Sequence, residues 1–172
     1  MRYWVFETAW GWAGLAGDEG RIAVVVLPLP SPDAAVSHIR EKTGPGLIPD
    51  RDLFVFAAQR IKDYFAGAVI QDWQVEVDFT PCAEFTRTVF EKVRRVRYGE
   101  RVTYSELAAL AGRPGAARAV GQALKRNSCP LIIPCHRVVG VQGLGGFTAP
   151  GGTDLKRRLL EWEQARIDET MN

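Results

Sequence analysis

The sequence predicts an α/β chain in two parts: a small N-terminal α/β domain over residues 1–79, and a mostly helical domain over residues 87–172 carrying a helix-turn-helix. Residues 80–86 form the expected linker. Three observations predict this division. Short β-favourable runs broken by glycine turns fill the first part, helical periodicity fills the second, and the charge changes sign between them. Residues 1–80 hold 7 Lys and Arg against 11 Asp and Glu, whereas residues 81–172 hold 15 against 9. A basic second half suits a polyanionic partner, although a basic face is more often merely solvated. With 172 residues, 47% of them hydrophobic, the chain can bury real cores.

In the first part, residues 4–8, 12–16 and 21–27 are β-favourable and are separated by Gly11 and by Gly17-Asp18-Glu19-Gly20, the pattern of a meander. Residues 33–43 follow a Ser-Pro start and close at Gly44-Pro45-Gly46, which predicts a helix punctuated at both ends. Over 52–66, Leu53, Phe54, Ala57, Ala58, Ile61 and Phe65 recur at helical spacing until Gly67, and residues 74–79 alternate like a last strand. Thr80-Pro81-Cys82 then breaks the chain. No internal repeat, low-complexity tract or phosphate-cradling glycine loop is visible.

In the second part, Phe85, Val89, Val93 and Val96 predict a helix over 85–96. Thr103 followed by Glu106 makes a capping box, so Tyr104 begins a helix that Gly112-Arg113-Pro114-Gly115 stops. The next helix, over 116–125, divides by face. Ala116, Val120, Ala123 and Leu124 form its apolar stripe, while Arg118, Gly121, Gln122 and Lys125 share the other side. Helix, short glycine turn, helix is the outline of a helix-turn-helix, and a cation, an amide, a second cation and a missing side chain suit a DNA-facing surface. Two-helix corners with a polar outer face also occur in enzymes that never touch DNA.

The chemistry-bearing residues concentrate at Pro134-Cys135-His136-Arg137, after the apolar run Leu131, Ile132, Ile133. An unpaired cysteine is usually a small core hydrophobe. Here His136 offers a group that can share the thiol proton, and thiolate is the working nucleophile. Pro134 removes a backbone donor and biases Ile133 toward extension, which predicts a strand ending at this point. If residues 135 and 136 stay extended, their side chains face opposite ways and a proton must pass through a turn or a bridging water. In the last helix Leu155, Leu159, Trp162 and Glu163 fall on one stripe, so Glu163 is a carboxylate on an inward face that needs a partner.

Several classes are disfavoured. Glu7 interrupts the N-terminus before any signal-like apolar stretch, and no run approaches a membrane span, so a cytoplasmic protein without a membrane partner is expected. Cys82, Cys129 and Cys135 cannot all pair and match no zinc spacing, so neither a disulfide framework nor a metal is expected. A Cys-His hydrolase would need an oxyanion arrangement that is not recognisable here, and a helix-turn-helix regulator would not explain the cysteine.

Taken together, Tyr104-Ser105-Glu106-Leu107-Ala108, Arg118-Ala119-Val120-Gly121, Asn127 and Ile133-Pro134-Cys135-His136-Arg137-Val138-Val139 resemble the O6-alkylguanine-DNA alkyltransferases, in wording, order and interval. Gly145-Gly146-Phe147 and Leu159-Leu160-Glu161-Trp162-Glu163 also fit, so residues 85–163 carry the resemblance strongly and residues 1–79 weakly. The resemblance implies a ribonuclease H-like N-terminal domain and a winged helix-turn-helix. It implies direct-reversal repair of double-stranded DNA carrying O6-alkylguanine, less readily O4-alkylthymine, by a single-use transfer of the alkyl group to Cys135.

By the same resemblance His136 relays the Cys135 proton through water and is oriented by Glu163, and Tyr104 donates its hydroxyl to the leaving base. Arg118 takes the place of the flipped nucleotide, with Gly121, Gln122 and Lys125 beside it on the DNA face in the minor groove. Asn127 shapes the turn before the acceptor, and the backbone carbonyls of Cys135 and Val138 hold the exocyclic amine. Phe147 opens the pocket loop, which here reads Phe147-Thr148-Ala149-Pro150-Gly151-Gly152 where other members carry a tyrosine and a serine. No cofactor is implied, and a monomer is expected. The rival within this likeness is a lesion binder that does not repair, against which the presence of Cys135 argues.

Overall fold

The structure is a computed structural model that describes residues 1–171. The chain divides into two compact units, Met1–Phe79 and Thr80–Asn172, the last residue lying outside the described part.

The first unit is a meander closed by short edges. β1 (Arg2–Thr8), β2 (Gly11–Asp18) and β3 (Arg21–Leu29) pair antiparallel in sequence order. Gly17 sits at a register shift where an added Cβ would lie 1.9 Å from the Arg21 carbonyl oxygen, so only glycine lets these two strands close. α1 (Pro32–Thr43) starts where the Ser31 hydroxyl accepts the Ala34 amide at 3.2 Å and ends at Gly44 with φ +78°. Its Ala35 and Ile39 bury against Ala16, Val24 and Val26 of the sheet.

Two elements differ from expectation. β4 (Ile48–Pro49) is a two-residue parallel edge on β1, too short to show as a pattern. The strand expected over 74–79 shrinks to β5 (Glu76–Val77), parallel to β3, because Gln74 turns to φ +52° and breaks the extended run. The helix expected over 52–66 begins as a 3-10 turn (Asp52–Phe54), where Asp50 accepts the Leu53 amide, and continues as α2 (Val55–Phe65).

The second unit is helical around one short parallel ribbon. α3 (Glu84–Val93) begins inside the stretch expected to be linker, since the Ala83 carbonyl already accepts the Arg87 amide. It stops before Val96 because the amides of Arg95 and Val96 bond three residues back and tighten the last turn. α4 (Tyr104–Leu110) carries the complete Thr103–Glu106 capping box, and α5 (Ala117–Leu124) buries Val120, Ala123 and Leu124. α3, α4 and α5 pack on one another.

β6 (Val102–Thr103) pairs with β7 (Val138–Val139) in register Val102 to Val138 and Thr103 to Val139. That pairing sets the start of α4 beside the segment leaving Cys135. α6 (Gly152–Met171) completes the unit and packs on the turn at 135–137. Among the described residues no helix is long and apolar enough to cross a membrane.

Candidate active site

The apolar run before Cys135 is not a strand. Leu131 adopts φ +71°, and the Ile133 amide turns back to the Cys129 carbonyl at 2.9 Å. Pro134 then holds φ −77° and ψ 63°, with the Cys135 amide on the Ile133 carbonyl at 2.7 Å, which is an inverse γ-turn. Cys135–Arg137 follows as a 3-10 turn and runs into β7. The prolyl ring and a two-residue ring closure thus replace the expected strand end. Consecutive side chains fan around a helical turn, so one wall can take Cys135 while the interior takes its neighbours.

Asn127 holds this turn from inside. Its Nδ2 donates to the Ile133 carbonyl at 2.9 Å and to Cys135 Sγ at 3.1 Å, while its Oδ1 accepts the Cys129 amide at 2.9 Å. The expectation of a purely shaping role is therefore too narrow: Asn127 also donates to the sulfur. Burial pushes the Cys135 thiol up, opposed by the Asn127 hydrogen bond, the nearby Lys156 charge and backbone amides.

Cys135 opens on a cleft of about 110 Å³ lined also by Tyr104, Gly121, Leu124, Lys125, Gly146, Phe147 and Thr148. Gly121 and Lys125, expected on an outward face, thus also border this cleft, whereas Arg118 and Gln122 are simply exposed on α5. Tyr104 is half-buried at the first position of α4. Burial raises its hydroxyl, the Cys135 charge adds to this, and a backbone hydrogen bond from Gly146 opposes it.

Gly145, at φ +70°, faces the same ring, and a Cβ there would stand 2.7 Å from Tyr104 Oη. Gly145→Ala is expected to displace the Tyr104 ring and to cost about 1 kcal/mol or more, read as a lower denaturant midpoint.

Behind the sulfur lies a buried polar cluster. His136 is fully buried, and its Nε2 stands 2.7 Å from Glu163 Oε1, while its buried Nδ1 has no protein hydrogen-bond partner. Glu163 is also fully buried and accepts the Gly99 amide at 3.1 Å and the Arg137 guanidinium at 2.9 to 3.3 Å. Burial alone would raise this carboxyl, but the charges and hydrogen bonds of His136 and Arg137 outweigh it and hold the group well below the usual carboxylate range. For His136 burial dominates and pulls the ring below its ordinary value, against the attraction of Glu163.

Two residues here went unread in the sequence. Arg137 spans the cluster, donating from Nη1 to the Val96 carbonyl at 2.7 Å. Lys156 on α6 is fully buried, with Nζ donating to the carbonyls of Val138 at 2.5 Å and Gly146 at 3.1 Å. Burial pushes its ammonium down to about 8, the Cys135 charge working the other way. Lys156 was findable, since it sits three residues before Leu159 and seven before Glu163 on the inward stripe. Arg137 lies in a turn, where no periodicity exists to flag it.

The Val138 carbonyl, expected to hold a base amine, already receives Lys156, and Val138 does not line the cleft; the Cys135 carbonyl accepts the Val138 amide. A carbonyl keeps a second lone pair, so each can take one further donor.

Chemically, the assembly offers a cleft-facing thiol with a neutral amide donor and a cation beside it. Behind it stands an imidazole held by a carboxylate.

Residues 84–165 match the family model described as 6-O-methylguanine DNA methyltransferase, DNA binding domain. The methylated-DNA–protein-cysteine methyltransferase of Methanosarcina acetivorans is 34% identical over 95% of this chain and 98% of its own length. That of Sulfurisphaera tokodaii is 44% identical over 66% and 70%. Among solved structures, Mycobacterium tuberculosis OGT in complex with DNA superposes with a TM-score of 0.79 at 33% identity, covering 96% of this chain and 94% of that one. The α/β fold is shared with that protein. Because the likeness runs nearly end to end and its family model covers the residues that build the cysteine turn, the chain belongs to the methylated-DNA–protein-cysteine methyltransferase family.

Proposed function

We propose that this protein repairs double-stranded DNA by moving a methyl or other alkyl group from O6 of guanine, and less readily from O4 of thymine, onto Cys135, once per molecule. The observation that carries this reading is the placement of Cys135 Sγ on the cleft, with Asn127 Nδ2 at 3.1 Å and the His136–Glu163 pair behind it.

The alkyl carbon is saturated, so the reaction is an in-line displacement. Sulfur forms the new S–C bond as the C–O6 bond breaks, and the electron pair leaves on guanine. The thiol proton passes through water to His136 Nδ1. Tyr104 supplies a proton to the departing base and regains one from the His136 imidazolium through solvent, so the net change moves the thiol's proton to guanine. Asn127 and the Lys156 ammonium stabilise the thiolate while it exists. The product thioether has no good leaving group, which makes the acceptor single-use.

A stacked guanine cannot reach a sulfur recessed in a cleft, so the nucleotide must leave the helix. Exposed Arg118 fills the gap, with Gln122 and Lys125 at neighbouring phosphates and Gly121 allowing close approach. Phe147 and the backbone of its loop shape the pocket around O6.

We read α3 to α5 with β6 and β7 as a winged helix-turn-helix within the DNA-binding and alkyl-acceptor domain expected over 87–172, which α3 extends back to Glu84. The β1-β2-β3 meander backed by α1 supports a ribonuclease H-like N-terminal domain over 1–79. The protein is taken to act as a cytoplasmic monomer without a membrane partner.

Incubation with a duplex containing O6-methylguanine is expected to add the mass of one methylene to the peptide holding Cys135, once per protein. Unchanged mass with tight lesion binding would make it a binder, and repeated turnover would sink the single-use mechanism. Arg118→Ala is expected to slow transfer from duplex by roughly 10- to 100-fold, the scale of an uncompensated flipping cost of a few kcal/mol. Transfer from the free O6-alkylguanine base should fall far less; equal losses would contradict the flipping role.

A further inference from the structure

A proton relay through His136 needs a lone pair on that ring at working pH. An imidazole 2.7 Å from a buried carboxylate would ordinarily be held as the cation, because an adjacent negative charge favours the charged form. Burial is the largest influence against that cation, and Arg137 adds to it by occupying the carboxylate. Its Nε lies 3.0 Å from Glu163 Oε2 and its Nη2 lies 2.9 Å from Oε1, so the guanidinium grips both carboxylate oxygens as a fork.

The fork is fixed at its other end, where Nη1 donates to the Val96 carbonyl at 2.7 Å, and it lies 5.5 Å from the centre of the Tyr98 ring. The side chain is 3% exposed, so water does little to screen it. Glu163 therefore meets a full positive charge before His136 contributes one. A protonated His136 would leave this buried group with a net positive charge, next to the Lys156 ammonium.

We propose that Arg137 is a positioning residue that sets the protonation state of the relay: by neutralising Glu163 it keeps His136 as the neutral Nε2–H tautomer, with Nδ1 as the basic nitrogen. The charged groups acting on His136 are Glu163 and Lys156 from α6 and Arg137 from its own turn, with Cys135 next to it in the chain and Tyr98 against Arg137 and Glu163. Burial and the Arg137 and Lys156 charges together pull the ring down, and Glu163 alone pulls it up. The resting state is set before any DNA binds.

The test begins with the unreacted protein, whose only other histidine is His38 on α1, so ring-nitrogen NMR has two sites to resolve. Wild-type His136 is expected to be neutral at pH 7 and protonated at Nε2; a cationic ring there would overturn the proposal. R137Q should raise the His136 titration by about one pH unit or more, a tenfold or greater gain in proton affinity. R137K, which keeps the charge, should titrate close to wild type. Equal shifts in both variants, or none in R137Q, would also overturn it.

A second readout rests on the alkyl-transfer reading: with a free O6-alkylguanine base, the acid limb of the rate profile should move up in R137Q and return in R137K. A merely structural Arg137 would lower the rate at every pH and leave the limb in place. Should R137Q not fold, the wild-type titration and R137K decide. The NMR result stands whether or not transfer occurs, so failure of this proposal is distinguishable from failure of the repair reading.

Discussion

Replacing Cys135 with serine is expected to abolish alkyl transfer while leaving duplex binding in place. The hydroxyl fits the site, since Asn127 Nδ2, now 3.1 Å from sulfur, can donate equally well to oxygen. Chemistry is what fails. Displacement at a saturated carbon needs a soft, ionised nucleophile, and the buried, weakly basic His136 cannot deprotonate an alcohol. The loss should be on the order of 10⁴-fold or more, the scale seen when a nucleophile is removed from groups that act as a unit.

Intact-protein mass after incubation with O6-methylguanine duplex checks this, with a gel-shift assay run alongside. A methyl group on Cys135→Ser protein would move the acceptor to Cys82 or Cys129. Of these, Cys129 is buried two residues from Asn127 and Cys82 is partly exposed.

Glu163→Ala should produce the largest loss of stability, about 3–5 kcal/mol, because breaking a buried ion pair strands its partner. Three groups lose their acceptor together: the Arg137 guanidinium, His136 Nε2 and the Gly99 amide. The penalty is not their sum, since Arg137 keeps the Val96 carbonyl.

The pH dependence follows from the sign of the shift. The folded carboxyl is held below its ordinary value of 4.5, so its contribution is complete above that value and drains away as pH falls through the lower folded one. His136 acts in the same direction from higher pH. Its folded value is below 6.5, so the unfolded chain binds the proton first and gains as pH drops beneath 6.5. Denaturant midpoints at pH 7 and pH 3 are expected to show a wide gap between wild type and Glu163→Ala that narrows in acid. A gap of constant width would mean that the carboxylate's charge does not stabilise the fold.

The elements that could be read from sequence are those whose cause is local. Thr103 and Glu106 cap the helix at Tyr104 because both partners lie within one turn. The faces of α5 and α6 follow from 3.6-residue periodicity, which buries Val120, Ala123 and Leu124 and brings Glu163 to an exposure of 0%. Where local signals were weak or competed, reading failed. Leu131, Ile132 and Ile133 look like strand, but two prolines and a left-handed Leu131 fold them into turns.

The family motifs, the helix faces and the identity of the candidate acceptor are thus legible in the chain itself. The electrostatics around that acceptor come from contacts between distant parts of the chain. Gly99 meets Glu163 across 64 residues, Val96 meets Arg137 across 41, and Lys156 reaches Val138 across 18. Such partners share no helical or strand period, so no pattern in the chain announces them. Packing brings them within hydrogen-bond reach, and burial turns their proximity into a shifted proton affinity.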